Sequence, residues 1–221
     1  METSPDIPGF GPDRCEAYLA GTAGSPPRQL LLHAIELSAT HPCRRALDIG
    51  CGPGREVVEL LRAGFAVHAF DPYPIMIEQT RALVSSVFPG ETVALQLDCA
   101  RLEHVAATLP RDAFGLIHAG FVLPFVPSAD FASCFDRIRG ALAPRGVFVG
   151  QFFGPDDEFI RTTAQGAMSS HQANELPALL DGFDLLTHEE VNRQGSIGRG
   201  IAKWWHVHHV IARKKVIARK K

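Results

Sequence analysis

Ala46-Leu47-Asp48-Ile49-Gly50-Cys51-Gly52-Pro53-Gly54-Arg55 is the stretch that decides the fold. An apolar run meets an acid and then opens into a loop with glycine at every second position. A helical pattern follows at once, with Val57, Val58, Leu60 and Leu61 on its apolar stripe. Glycine has no Cβ, so such a loop turns tightly and lets a ligand approach the backbone. The free N–H groups and positive dipole end of the following helix favour a carboxylate or phosphate there. The dinucleotide fingerprint G-x-G-x-x-G is the rival reading. Here the third glycine comes one residue early, and Arg55 stands where it is expected.

Outward from this loop, strands and helices alternate. Strand patterns fall at 45–49, 65–70, 92–97, 113–118 and 146–153, and Leu95–Ala100 reads as the third strand with an acid, Asp98, near its end. Helix patterns fall at 29–40, 54–63, 74–86, 101–108 and 128–142. Ser128 reads as an N-cap with Asp130 in the first turn, and Ala143-Pro144-Arg145-Gly146 as the stop of that helix. A helix near 172–181 precedes two further strands, about 183–190 and 202–213. Between them Asn192–Gly198 reads as a hairpin-like loop of turn formers. Such alternation implies a parallel sheet with right-handed crossovers and helices on both faces. Ligands then sit beyond the carboxyl ends of the strands, where Asp48, Asp71, Asp98 and His118 all fall.

The ordered set Asp48–Gly54, Asp71, Asp98, the strand before His118 and the Leu142–Gly146 turn resembles class I S-adenosylmethionine-dependent methyltransferases over residues 28–213. The resemblance implies an α/β, Rossmann-like, seven-stranded and mostly parallel sheet with helices on both faces and an antiparallel last strand. It also implies S-adenosylmethionine as cofactor. Gly50, Cys51, Gly52, Gly54 and Arg55 would then hold the methionine carboxylate, and Asp48 would orient the ammonium directly or through water. Asp71, followed by Pro72, would accept both ribose hydroxyls; alone, it reads as a helix cap or turn. Met76 would cover the adenine or join the core. Asp98 would accept the adenine amino group, with Cys99 and Ala100 at the ring edge, or would cap the helix beginning near Arg101.

Within the class, Gly52-Pro53-Gly54-Arg55, Val122-Leu123-Pro124-Phe125, the polar hairpin and the closing Val210–Lys215 resemble a small-molecule branch that includes tellurite-resistance methyltransferases. That branch tends to show a His-Arg pair in the hairpin near the substrate. Here the pair is Asn192-Arg193, so the Arg matches and the His does not.

The bulk properties narrow the field. At 221 residues with 46 % hydrophobic side chains, the chain fits one α/β domain. The last nine residues hold six of its 22 basic side chains, so the remaining 16 face 24 acids, a net of −8. An acidic body argues against a nucleic-acid groove. The five cysteines are scattered without a C-x-x-C pair. The first residues lack the basic and apolar regions of a signal peptide, and Ala113–Val126 is too short and too broken for a membrane span. A cytoplasmic enzyme is the expectation. Residues 1–27, rich in Pro and Gly, read as a flexible arm or lid, and 214–221 as a basic tail. The hexapeptide Val210–Lys215 recurs unchanged as 216–221, too short to be a structural repeat.

Methyl transfer from a sulfonium needs alignment and exclusion of water more than it needs acid–base groups. His118, at the end of strand four, is the candidate base for an acceptor that must lose a proton, or else a histidine hydrogen-bonded at the strand end or stacked near the cofactor as one of its binding residues. Arg193 and Arg199 are candidate clamps for an anionic substrate, or solvated turn residues. His118-Ala119-Gly120-Phe121 lacks the Asn/Asp-Pro-Pro-aromatic signature of enzymes that methylate exocyclic amines or glutamine. Cys43 and Cys51 do not sit where a cytosine-methylating nucleophile would. His206 and His208 share a strand face without an evident third ligand, so no metal is expected. A small-molecule methyltransferase is the reading favoured. A cofactor-binding protein without transfer, an NAD-dependent oxidoreductase, and an RNA or protein methyltransferase are the alternatives.

Overall fold

The computed structural model describes residues 12–197 and 201–216, and within them the alternation closes into one seven-stranded sheet. In chain order the strands are β1 (Arg45–Ile49), β2 (Ala66–Asp71), β3 (Leu95–Cys99), β4 (Phe114–Ala119), β5 (Leu142–Phe153), β6 (Phe183–Ser196) and β7 (Ala202–Lys214). Their spatial order is β3-β2-β1-β4-β5-β7-β6. β7 is antiparallel to both of its neighbours, and the pairs among β1–β5 are parallel. The chain runs outward from β1 to β3, then returns to place β4 on the other side of β1. That reversal opens a crevice between the ends of β1 and β4, the switch point at which α/β sheets bind ligands.

Helices cover both faces. On one side lie α2 (Gln29–Leu37), α3 (Arg55–Arg62) and α4 (Pro74–Val87), whose Leu31, Val57, Leu60, Ile77 and Val84 pack on Ala46, Val67, Leu116 and Val149 of the sheet. On the other lie α5 (Leu102–Ala106), α6 (Ser128–Ala141) and α8 (Leu176–Leu179). There Phe131 and Phe135 of α6 meet Phe148 and Phe152 of β5 in edge-to-face contacts. Full burial of side chains such as Leu60 or Phe148 contributes roughly 1.5–3 kcal/mol each, which fixes which face of each strand points inward. Two further helices are α1 (Pro12–Thr22) and α7 (Glu158–Thr162), and a 3-10 turn spans Leu123–Phe125.

Several boundaries differ from the expectations, for physical reasons. β3 begins at Leu95 rather than near residue 92, and it runs through Asp98 to Cys99 because Asp71 pairs with Cys99. The Ala143–Gly146 stop lies inside β5: α6 ends at Ala141, and a bulge absorbs the turn, with Leu142 opposite Phe114 and Val147 opposite Leu116. Arg145 takes φ +66° in that bulge. Ser128 is the first residue of α6 and makes no side-chain cap; its hydroxyl reaches the Gly166 carbonyl instead. The turn formers of 192–196 are strand, not loop. Asn192 through Ser196 pair with His206 through Ala202, so the β7 ladder overrides their local preference. Gly195 fits there because a Cβ would stand 2.8 Å from the Trp205 ring. Lys214, placed by sequence in the tail, closes β7 and reaches Asp112 at 2.8 Å. No helix among the described residues is long and apolar enough to cross a membrane.

Candidate functional site

The loop after β1 is built by its glycines. Gly50, Gly52 and Gly54 have φ of +69°, +53° and +88°, the left-handed region that side chains resist. Space is as decisive as conformation. A Cβ on Gly50 would stand 2.9 Å from Val122, and one on Gly54 2.9 Å from the Thr80 Cα. The Thr80 hydroxyl donates to the Gly52 carbonyl at 2.8 Å, and the Gly50 and Cys51 amides donate to the Phe70 carbonyl. The loop is thus tied to both β2 and α4, with Gly54 at the head of α3.

Asp71, at the end of β2, buttresses the same loop. Its two carboxylate oxygens accept from the Gly52 and Tyr73 amides, each at 3.0 Å. Burial pushes its carboxyl up to about 6, against those two hydrogen bonds that pull it down, with a smaller upward push from Asp48. Arg55 reaches back to the Ser25 and Pro26 carbonyls at 3.4 and 3.5 Å, and its Nε is buried without a hydrogen-bond partner.

Asp48 sits at the switch point, fully buried, directly opposite His118 across the β1–β4 pair. Its Oδ1 lies 2.6 Å from His118 Nδ1, while Oδ2 is buried without a hydrogen-bond partner. Burial raises the Asp48 carboxyl, opposed by His118 and Arg28 and reinforced by Glu56. Glu56, in the first turn of α3, is also buried and faces Arg28 Nε at 3.7 Å. A buried acceptor with nothing to accept from costs about 1–3 kcal/mol. Here it lies beside a cradle of three glycines at positive φ. A cleft continues from Gly50 past Phe70 and Pro72 to Arg101, Leu102 and Val122. This arrangement fits a ligand that brings a cationic donor to Asp48 and an extended body to the end of β2.

Residues 46–146 match the family model described as a methyltransferase domain. That match spans just under half of the chain. It is 35 % identical over 130 residues to trans-aconitate 2-methyltransferase of Methylobacterium radiotolerans, a stretch that covers 56 % of this chain and 44 % of that protein. The chain therefore spans less than half the length of that relative. Among solved structures it is similar to TehB from Haemophilus influenzae, with TM-score 0.66 and 18 % identity over 91 % of this chain and 67 % of that one. It is also similar to the N-methyltransferase NodS from Bradyrhizobium japonicum in complex with S-adenosylhomocysteine, with TM-score 0.65 and 15 % identity over 91 % and 97 % of the two chains.

Around the crevice the remaining predicted residues fall in three places. Met76 is buried with Tyr73 and Cys15, under α1, so α1 lies over the outer side of the glycine loop, with Tyr18 3.8 Å from where a Gly52 Cβ would stand. Asp98 gives its Oδ2 to His68 at 2.7 Å and Gln96 at 2.9 Å. Beside it the Cys99 thiol lies 3.6 Å from the Pro72 carbonyl, and the Ala100 amide donates to the Asp71 carbonyl. Arg193 is exposed on β6, opposite Trp205, and Arg199 lies outside the described residues. Cys51 is an unsuitable nucleophile: burial, then Asp48 and Asp71, push its thiol far up.

The structure also assembles groups that local sequence did not single out. Phe121 takes φ +56°, held by its amide on the buried Gln151 Oε1 at 3.0 Å. Its ring meets Trp205, His209 and Phe153 edge-on at 5.8–6.3 Å, and the Arg28 guanidinium lies 4.7 Å from its centroid. A residue held in this region costs of order 1–3 kcal/mol and persists where surroundings over-determine it. A Cβ on Gly120 would stand 2.7 Å from His118 Nε2 and 3.7 Å from Arg28 Nε, so Gly120 leaves the free edge of the histidine facing this aromatic wall. The only local signal was an aromatic residue directly after the His118-Ala119-Gly120 strand end. Beneath the wall, Lys203 and Asp157 form a buried ion pair at 2.6 Å, with Lys203 Nζ 3.7 Å from the Trp205 ring.

Proposed function

We propose that this domain transfers a methyl group from S-adenosylmethionine to a small-molecule acceptor carrying an anionic group. The observation that carries the proposal is the buried, unpartnered Asp48 Oδ2 beside the glycine cradle. The α-ammonium of the cofactor supplies the missing donor. Three buried carboxylates, Asp48, Glu56 and Asp71, surround this loop. They favour a ligand with cationic centres and disfavour the pyrophosphate of a dinucleotide. Asp71 and Asp98 would meet the ribose and the adenine, the cleft beside Phe70 and Leu102 the rest of the nucleoside.

When bound, the cofactor supplies a methyl carbon on a sulfonium leaving group. The chain's own part is to orient the acceptor, exclude water and take a proton where one must leave. Phe121, Trp205 and His209 form the apolar wall, with Arg28 over it and Arg193 on the same sheet face for an anion. Asp48 holds the Nδ1 side of His118, which leaves Nε2 as the basic nitrogen. A carboxylate acceptor has no proton to lose, whereas a hydroxyl acceptor needs that Nε2. The trans-aconitate 2-methyltransferase relative makes polycarboxylates the first acceptors to try. α1 serves as the lid of the site. The acidic body and cysteines without disulfides among the described residues fit a cytoplasmic enzyme that does not act on nucleic acid.

The test is formation of S-adenosylhomocysteine from S-adenosylmethionine with a panel of polycarboxylates, hydroxy acids, thiols, amines and metalloid oxyanions. Acceptor-dependent product with an anionic member is the expected result. Binding of the cofactor with no turnover on any member would favour the reading as a binding protein without transfer.

A further inference from the structure

On the opposite face of the β6–β7 hairpin from the aromatic wall, the antiparallel register collects four polar side chains. Glu190 pairs directly with His208; His206 stands one step along β7 on the same face, and His188 one step along β6. The ligand atoms of Glu190, His206 and His208 all lie within 4.8 Å of one another. His188 Nε2 stands beside this trio, 3.3 Å from His208 Nδ1. The sequence pairs His206 with His208 and shows no third ligand; the hairpin register supplies it.

We propose that this cluster is a binding site for a divalent transition metal ion of the zinc type, independent of methyl transfer. His206 Nε2, His208 Nδ1 and Glu190 Oε1 are its three ligands, with His188 beside His208 at the edge of the site. Two ligands at about 2.0–2.1 Å from a tetrahedral ion stand about 3.3 Å apart. His206 Nε2 and Glu190 Oε1 are 2.8 Å apart and need to open by only about half an ångström to match that edge.

The surroundings of buried His208 favour the ligand role. A metal-bound histidine ordinarily donates its other ring N–H to a carbonyl or carboxylate. His208 Nε2 lies 3.1 Å from the His171 carbonyl, which can only accept. The proton of a neutral His208 is therefore on Nε2, and Nδ1 presents its lone pair to the cluster. His206 Nδ1 accepts from the Asp156 amide at 3.2 Å, so its Nε2 proton faces Glu190 and must leave when a metal binds there; the Asp156 carboxylate, 3.4 Å from Nδ1, is the acceptor within reach if that nitrogen takes up a proton. Glycine at 154 makes room for this ring, since a Cβ there would stand 2.3 Å from it. His206 and His208 are buried while His188 and Glu190 are exposed, so the site is anchored below and open to solvent above. Imidazole with one carboxylate suits zinc, cobalt, nickel or copper rather than magnesium or calcium.

The test is titration of the chelator-treated full chain with Co²⁺ alone, followed by Zn²⁺. The expected result is one saturable equivalent with the visible absorption of tetrahedral cobalt, displaced by one equivalent of Zn²⁺. Glu190→Gln and His188→Asn alter exposed side chains, and circular dichroism verifies that each variant is folded. Glu190→Gln should weaken cobalt binding by roughly tenfold or more, and His206→Asn should abolish the absorption. Absence of saturable binding to the wild-type chain overturns the proposal. So does cobalt binding that is the same in folded Glu190→Gln and His206→Asn.

Discussion

At the scale of single residues, the site is a set of carboxylates whose burial is offset by specific donors. Asp48 shares one oxygen with His118, and its other oxygen is buried without a hydrogen-bond partner. If the acceptor carries a proton, His118→Gln should lower kcat by roughly 10²–10⁴-fold and leave S-adenosylhomocysteine affinity unchanged; steady-state kinetics beside calorimetry checks both. With a carboxylate acceptor the same substitution should change kcat far less. Asp71 predicts a pH dependence. Its folded-state value of about 6 lies above its ordinary 3.8, so the fold favours the protonated carboxyl. Its contribution to stability is complete below pH about 3.8 and is lost as pH rises through about 6, a span of about 3 kcal/mol. Urea unfolding from pH 4 to pH 7 should show the wild type losing stability relative to Asp71→Asn across that window. With Asp71 in its proposed role, cofactor binding should run the other way, because ribose hydroxyls would donate to the ionised form.

At the scale of elements, the glycine loop and the β7 end hold the two sides of the crevice. Gly54→Ala forces a side chain into φ +88° and against the Thr80 backbone. It should lower stability by roughly 2 kcal/mol and weaken cofactor binding, read by thermal unfolding and calorimetry. Lys203→Ala leaves Asp157 buried without its ion partner, although Asp157 still accepts from the Phe159 and His206 amides. The loss should be about 3–5 kcal/mol, and Lys203→Ala combined with Asp157→Asn should recover part of it in the same unfolding assay. These elements differ in how visible they are in sequence. The β1–loop–α3 unit is legible because its chemistry is contiguous: glycines, an acid and an apolar stripe within 15 residues. The far half of β6 is hidden, since Asn192, Gly195 and Ser196 favour turns and only pairing with β7 makes them strand. α7 is hidden because it is short and depends on the Asp157 cap.

At the scale of the whole molecule, the sheet order brings residues from distant parts of the chain to one crevice. Asp48, Asp71 and His118 are readable in sequence because each ends a strand whose apolar pattern is strong. Arg28, Phe121, Gln151 and His209 are not, because they meet only through the β1–β4–β5–β7 register and the packing of α2. The histidine–glutamate cluster is likewise a product of β6–β7 pairing. Its trace in sequence is a polar residue at every second position of two adjacent strands, His188 and Glu190 facing His206 and His208. The central claim concerns the crevice, and calorimetric titration of the full chain with S-adenosylhomocysteine tests it most directly, with Asp71→Ala and NADH as controls. The expected result is one site of micromolar affinity, lost in the folded Asp71→Ala variant and absent with NADH. No binding of S-adenosylhomocysteine, or a preference for NADH, would contradict the account.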